Sequence, residues 1–214
     1  KAEHMRDDML ARIPADGPPY TLTSIETADC ANPGQNWGKR IYGEITVPMY
    51  TETARAPTLL TRGPDGLPYY NGDTTADFVV NIPCSVLTNP APAPILHYGH
   101  GLLGSKGETN TGWLNHFANE HGYVLFGLDW TGMSEDDVAA ITFMLVDDPT
   151  EFAILPERSQ QGFVEWVAAD VLFTGKIADD PELKVGDVRL LDTSKLRYYG
   201  NSQGGILGGA FLAM

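Results

Sequence analysis

The chain has 214 residues, 43% of them hydrophobic, and 14 Lys and Arg against 28 Asp and Glu, for a formal charge of −14. That length and apolar content can fill one packed core, while the acidic excess excludes proteins held on nucleic acid or on anionic membranes by a positive field. No apolar run approaches the ~18 residues of a transmembrane helix.

Residues Lys1 to Asp8 lack the apolar centre of a signal peptide, so the start reads as a processing product or an artificial junction. Residues 1–40 carry Pro14, Gly17-Pro18-Pro19 and Asn32-Pro33-Gly34, which punctuate regular structure and predict an irregular arm. Arg40 to Val47 and Asp77 to Ile82 are rich in β-branched and aromatic residues and predict strands, with turns supplied by Gly63-Pro64-Asp65-Gly66 and Asn71-Gly72. Residues 1–90 therefore form the irregular and β-rich N-terminal part of one domain. The short Asn89-Pro90-Ala91-Pro92-Ala93-Pro94 segment is a stiff connection within that domain.

Cys30 and Cys84 are the only cysteines. Two readings stand side by side: a disulfide closing a loop of roughly 55 residues, which would restrict the unfolded chain by about 4 kcal/mol, or two unrelated buried thiols. A secreted or periplasmic location goes with the first. Two cysteines cannot make a four-cysteine zinc site and no His-Glu-x-x-His replaces it, so no metal site is expected.

From residue 91 the pattern changes to a parallel-sheet core over 91–214. Ile95 to Tyr98 and Tyr123 to Leu128 are short apolar strands on either side of a helix over Thr111 to Glu120, the arrangement of a strand, crossover and parallel strand. Glu135 to Val146 predicts a helical segment ended near Pro149. A stronger helix follows over Ser159 to Thr174, where Phe163, Val167 and Val171 recur beside Val164, Ala168 and Leu172. Leu196 to Tyr199 supplies another strand, and Gly204 to Met214 begins a closely packed helix.

The chemical signal is Tyr199-Gly200-Asn201-Ser202-Gln203-Gly204-Gly205, a Gly-x-Ser-x-Gly motif between an apolar strand and a helix. Small residues there permit a tight turn that exposes a serine hydroxyl, with the following helix aiming backbone donors at developing negative charge. Here, from Pro94 to Met214, the sequence resembles the α/β-hydrolase family of serine esterases and lipases. The resemblance implies that Ser202 is the nucleophile, that the backbone N–H groups of Leu102 and Gln203 form the oxyanion hole, and that His100 supports the His100-Gly101-Leu102 loop. Asn201 stands where the family commonly has histidine. The implied reaction is hydrolysis of a small-molecule or lipid ester through an acyl-enzyme, without a cofactor.

In the family the catalytic acid and histidine follow the nucleophile, whereas this chain ends 12 residues after Ser202 and His4, His97, His100, His116 and His121 all precede it. The expectation is therefore an α/β fold with a partial α/β-hydrolase sheet, helices on both faces and a β-rich N-terminal extension. A separate C-terminal chain from the same precursor would cover an otherwise exposed apolar sheet edge and supply acid and base. A non-catalytic binding or structural protein on the same scaffold is the alternative.

The remaining residues have blander expectations. His97 reads as a strand or pocket residue and Asp129 as a solvated or capping carboxylate near the catalytic edge. The Asp136-Asp137 and Asp147-Asp148 pairs read as acidic surface. Trp130, Met133, Phe143, Met144 and Leu145 are candidates for an apolar pocket wall or for ordinary core.

Overall fold

The computed structural model describes residues 1–214. In chain order the strands are β1 (Tyr20–Thr27), β2 (Trp37–Pro48), β3 (Asp73–Pro83), β4 (Ala93–Gly99), β5 (Val124–Leu128), the short pair β6 (Lys184–Val185) and β7 (Val188–Arg189), and β8 (Leu191–Gly200). The helices are α1 (Ala2–Arg12), α2 (Cys84–Thr88), α3 (Gly112–His121), α4 (Val138–Val146), α5 (Ile154–Phe173) and α6 (Gln203–Leu212). Six strands make one mixed sheet in the order β1-β2-β3-β5-β4-β8. β4 runs parallel to both β5 and β8, while β1, β2 and β3 are antiparallel neighbours and β3 is antiparallel to β5.

Alternation along the central strands sends side chains to two cores. Ile95, Val124 and Phe126 join the main cluster of 29 buried residues, which also takes Met5 and Met9 of α1 and the inner face of α5. Leu96, Tyr98 and Leu125 point the other way and meet Leu114 and Ala118 of α3. Helices therefore cover both faces, because each parallel strand is apolar on both sides.

α5 is nearly surrounded. Val164, Trp166, Ala168, Ala169, Leu172 and Phe173 are buried, whereas Phe163, Val167 and Val171 are half-buried. Rings from helix and sheet alternate in a column: Trp130 on Trp166 at 3.5 Å between centroids, Trp166 on His97 at 4.0 Å, His97 on Phe126 at 4.0 Å and Phe126 on Phe173 at 3.9 Å. His97 is buried against this column and its Nδ1 meets Asp170 Oδ1 at 2.7 Å. Burial holds its imidazole below the ordinary histidine value despite that carboxylate.

Several expectations are corrected. The N-terminal arm is not irregular: residues 2–12 are helical, with Met5 and Met9 buried, and Tyr20–Thr27 pairs with β2. Those contacts are long-range, and local punctuation by proline and glycine does not register them. The partial sheet with an apolar edge awaiting a second chain is also replaced. The chain by itself forms a continuous six-stranded sheet, and its edge strand β8 directs Leu196 and Tyr198 toward the core while Asp192, Lys195 and Arg197 lie toward solvent. Charged side chains on an edge strand discourage further pairing, so the edge strand gives no ground for a C-terminal partner chain and that partner is not retained.

Cys30 and Cys84 are joined in a disulfide, with Cα atoms 5.5 Å apart and a sequence separation of 54. The bond ties the β1–β2 connection to the start of α2. Replacing both cysteines by serine is expected to lower the unfolding free energy by about 4 kcal/mol, the loop-closure value for this separation. Urea titration of the double variant checks this, and an unchanged midpoint would refute it.

A second prediction concerns Glu165, whose carboxyl is buried in α5, accepts from the Thr131 hydroxyl at 2.6 Å and the Gln161 amide at 3.2 Å, and is pushed up to about 7 chiefly by loss of hydration. A carboxyl raised in the fold favours the folded state most below its unfolded value of 4.5, and that contribution is lost as pH rises to about 7. Glu165→Gln should therefore flatten the fall in Tm between pH 5 and pH 8, a difference of about 3 kcal/mol at the upper end. His97 titrates with the opposite sign and is common to both proteins, so the difference between them isolates Glu165; parallel pH curves would sink the assignment.

Candidate active site

The parallel registers His97↔Phe126 and Gly99↔Gly200 bring the C-terminal ends of β5, β4 and β8 to one edge of the sheet. The loop after β4 and the turn after β8 meet there. Ser202, between β8 and α6, has φ +51° and ψ −114°, a left-handed conformation that costs a non-glycine residue about 1–3 kcal/mol. It is solvent-exposed.

The surroundings explain how that strain is held. Asn201 N–H donates to the Gly99 carbonyl at 3.1 Å, and Gly204 N–H donates to the Asn201 carbonyl at 2.8 Å. Tyr198 donates its hydroxyl to the Gly204 carbonyl at 2.5 Å. Gly204 lies so close to the end of β4 that a Cβ would overlap the Gly99 carbonyl, and a Cβ on Gly200 would overlap the Gly204 carbonyl. Both motif glycines are thus required by backbone contact across the turn.

The β4 loop approaches from the other side, since a Cβ built on Gly101 would stand 3.9 Å from Ser202 Cβ. Leu102 follows with an exposed side chain, and Leu103 takes φ +52°. His100 is fully buried: its Nδ1 lies 2.8 Å from the Gly101 carbonyl, and its Nε2 accepts from the Trp130 N–H at 2.7 Å. An acceptor role at Nε2 requires the proton on Nδ1, which then donates to Gly101, so both ring nitrogens are committed to backbone. Gln203 is buried and opens α6, where the first N–H groups have no intrahelical acceptors.

Two carboxylates support this loop: Glu108, which no sequence signal singled out, and Asp129, expected as a solvated or capping carboxylate. Glu108 accepts from Gly101 N–H with both oxygens at 3.1 Å and from the Tyr98 hydroxyl at 3.0 Å. Asp129 accepts from Lys106 N–H at 2.6 Å and pairs with its ammonium at 2.7 Å. Asp129 thus caps the helical turn after the loop. Asp137 departs from the acidic-surface expectation, being buried and accepting from Gly132 N–H, Ser134 N–H and hydroxyl, and Arg158 Nε at 2.6 Å. Four donors compensate its lost hydration.

The remaining candidates scatter. Trp130 and Met144 are buried in the core, Met133 is half-buried, and Phe143 and Leu145 are exposed on α4. Asp147 and Asp148 remain at the surface. The other histidines bond elsewhere: His4 to the Pro68 carbonyl, His97 to Asp170 and His116 to Asn36, while His121 packs on Phe117. No group of three His, Cys, Asp or Glu side chains converges as a metal site, and no helix is long and apolar enough to cross a membrane.

No family model and no curated protein matches the sequence. Among solved structures, acetyl xylan esterase 1 from Thermoanaerobacterium sp. is 16% identical, aligned over 99% of this chain and 52% of that protein with a TM-score of 0.51. The ligand-bound rice cell wall degrading esterase LipA from Xanthomonas oryzae is 19% identical over 94% of this chain and 46% of its own, with a TM-score of 0.43. The chain spans about half the length of these proteins. At such identities the first likeness establishes the fold alone: this chain shares the mixed sheet with helices on both faces of the aligned part of that protein.

The glycine contacts yield a paired test. Gly204→Ala is expected to destabilise by about 1–3 kcal/mol or more, because the methyl meets fixed backbone. Gly209→Ala, also in α6 but with nothing within 4 Å of its Cβ position, should stabilise by up to about 1 kcal/mol through helix propensity. Thermal unfolding of the two variants checks the ordering, and equal effects would contradict the tight turn.

Proposed function

We propose that the protein is a serine hydrolase of carboxylic esters acting through an acyl-enzyme on Ser202. The observation carrying this reading is the exposed, left-handed Ser202 at a strand-to-helix turn with the β4 loop 3.9 Å away at the Gly101 Cβ position. Strain of this kind persists where the surrounding structure over-determines it, and it clusters at reactive sites.

In the proposed reaction Ser202 Oγ attacks the ester carbonyl, and the oxygen that gains negative charge is received by the N–H groups of Leu102 and Gln203. Collapse of the tetrahedral intermediate expels the alcohol, whose oxygen takes up the proton that left Ser202, and leaves an acyl-serine, which water then cleaves to the free acid while a proton returns to Ser202 Oγ. His100 supports the oxyanion loop and takes no proton from Ser202, because both its nitrogens are committed to backbone partners. The assignment covers the nucleophile, the oxyanion donors and this supporting histidine. The Cys30–Cys84 disulfide supports a secreted or periplasmic location, where such bonds persist.

An organophosphonate probe should add one covalent label to the native protein and none to Ser202→Ala, read by intact mass. Turnover of p-nitrophenyl acetate should fall by ~10⁴-fold or more in the same variant. Hydrolysis that survives the substitution would overturn the mechanism, and a folded native protein inert to both reagents would leave only the scaffold.

A further inference from the structure

A cavity of about 530 Å³ lies on the same sheet edge, at the start of β3 and the end of β5, beneath the 54–56 loop and the side chains of Arg158 and Glu165. Its floor follows from register: Phe78 pairs with Leu128 in antiparallel β3 and β5, so the next step outward sets Asp77 opposite Asp129. Adjacent strands are ~4.8 Å apart, which puts Asp129 two strands, or roughly 10 Å, from the end of β8 that carries Ser202. The loop after β5 is shared by both places, since Trp130 N–H holds His100 and Glu135 N–H donates to the Gly104 carbonyl at 2.9 Å.

The lining is polar and about half of its polar side chains are unspent: Thr131 is bonded to Glu165 and Ser134 to Asp137. Arg158 is committed to Asp137 and the Ala54 carbonyl, and Asp129 to Lys106. Asp136, Arg55, Thr74 and Thr75 line the cavity with their side chains free of other partners, and Asp77 reaches Lys106 only at 3.6 Å. Carboxylates accept only, a guanidinium donates only, and hydroxyls do both. A cation here would face Arg55, Arg158 and nearby Lys106, and an anion would face Asp77, Asp129 and Asp136. An apolar chain would strip these groups of water without repaying them in hydrogen bonds. A neutral group bearing several hydroxyls meets every demand, because each hydroxyl donates to a carboxylate and accepts from a guanidinium.

We propose that this cavity is the alcohol subsite of the enzyme and takes a neutral polyhydroxylated group of the carbohydrate class. The inference rests on Ser202 as nucleophile, which fixes where the scissile carbonyl of the ester must sit. The alcohol half then extends along the sheet edge from β8 past β4 to β5 and β3.

Two readouts separate the subsite from the nucleophile. Cellobiose titrated into Ser202→Ala and followed by NMR should bind saturably, and Asp136→Asn or Arg55→Leu in that background should weaken binding about tenfold, the loss of one charge-assisted hydrogen bond. In the active protein the same substitutions should raise KM for 6-O-acetylglucose, which keeps its other hydroxyls free, about tenfold while leaving p-nitrophenyl acetate, which carries the same acyl group, unaffected. Absence of cellobiose binding, or binding that both substitutions leave unchanged, would overturn the subsite. Cellobiose binding that responds to both substitutions, in a protein whose Ser202 is never labelled by phosphonate, would uphold the cavity's ligand and overturn the nucleophile instead.

Discussion

The ring column between α5 and the sheet is the constraint on which the rest depends. Trp166 and Phe173 of α5 interleave with Trp130, His97 and Phe126 from the strands and the β5 loop, so helix and sheet share one stack instead of touching along two smooth surfaces. Each aromatic pair contributes about 0.5–1.5 kcal/mol beyond the area it buries. More important is what the stack fixes: the rotation of α5 about its axis and its height above the sheet. Phe211 of α6 adds edge-on contacts to His97, Trp130 and Trp166, which docks the helix following Ser202 onto the same column.

With α5 held in this way, its polar side chains fall where the irregular segments need them. Gln161 accepts from Tyr50 N–H and donates to the Pro48 carbonyl, Glu157 accepts from Leu60 N–H and pairs with Arg62, and Arg158 meets Asp137. Buried segments without regular structure must still satisfy their backbone groups, and α5 supplies those partners. The column reaches the candidate site through Trp130, whose ring stacks on Trp166 and whose N–H holds His100. Packing in the core and placement of the loop after β4 are therefore parts of one connected structure.

The two halves of the candidate site are built differently. On the β8 side, glycine lets backbone approach backbone, and the strain at Ser202 is maintained by contacts that no side chain would fit between. On the β4 side, carboxylates and a histidine grip the loop: Glu108 on Gly101, Asp129 on Lys106, and His100 between Gly101 and Trp130. A pre-organised set of donors costs no rearrangement when charge develops. The mixed-charge cavity beyond β5 continues the same edge, and under the proposed reading it extends the candidate site along the sheet.

The sequence by itself determined the elements whose signal is local. The strands at 40–47, 77–82, 95–98, 123–128 and 196–199, the helix across 159–174 and the Gly-x-Ser-x-Gly turn all express short-range periodicity or a backbone demand for small residues. Only the tertiary structure decided the helix at 2–12 and the strand at 20–27, whose stability comes from distant partners. It also decided which reading of Cys30 and Cys84 holds, and which carboxylates are buried. Asp136 and Asp137 are adjacent in sequence, yet one lines an open cavity and the other is enclosed by four donors. The expected partner chain failed for the same reason: the exposure of a strand's two sides follows from how the sheet is assembled, and a linear pattern carries the alternation of residues but not the side on which the core will lie.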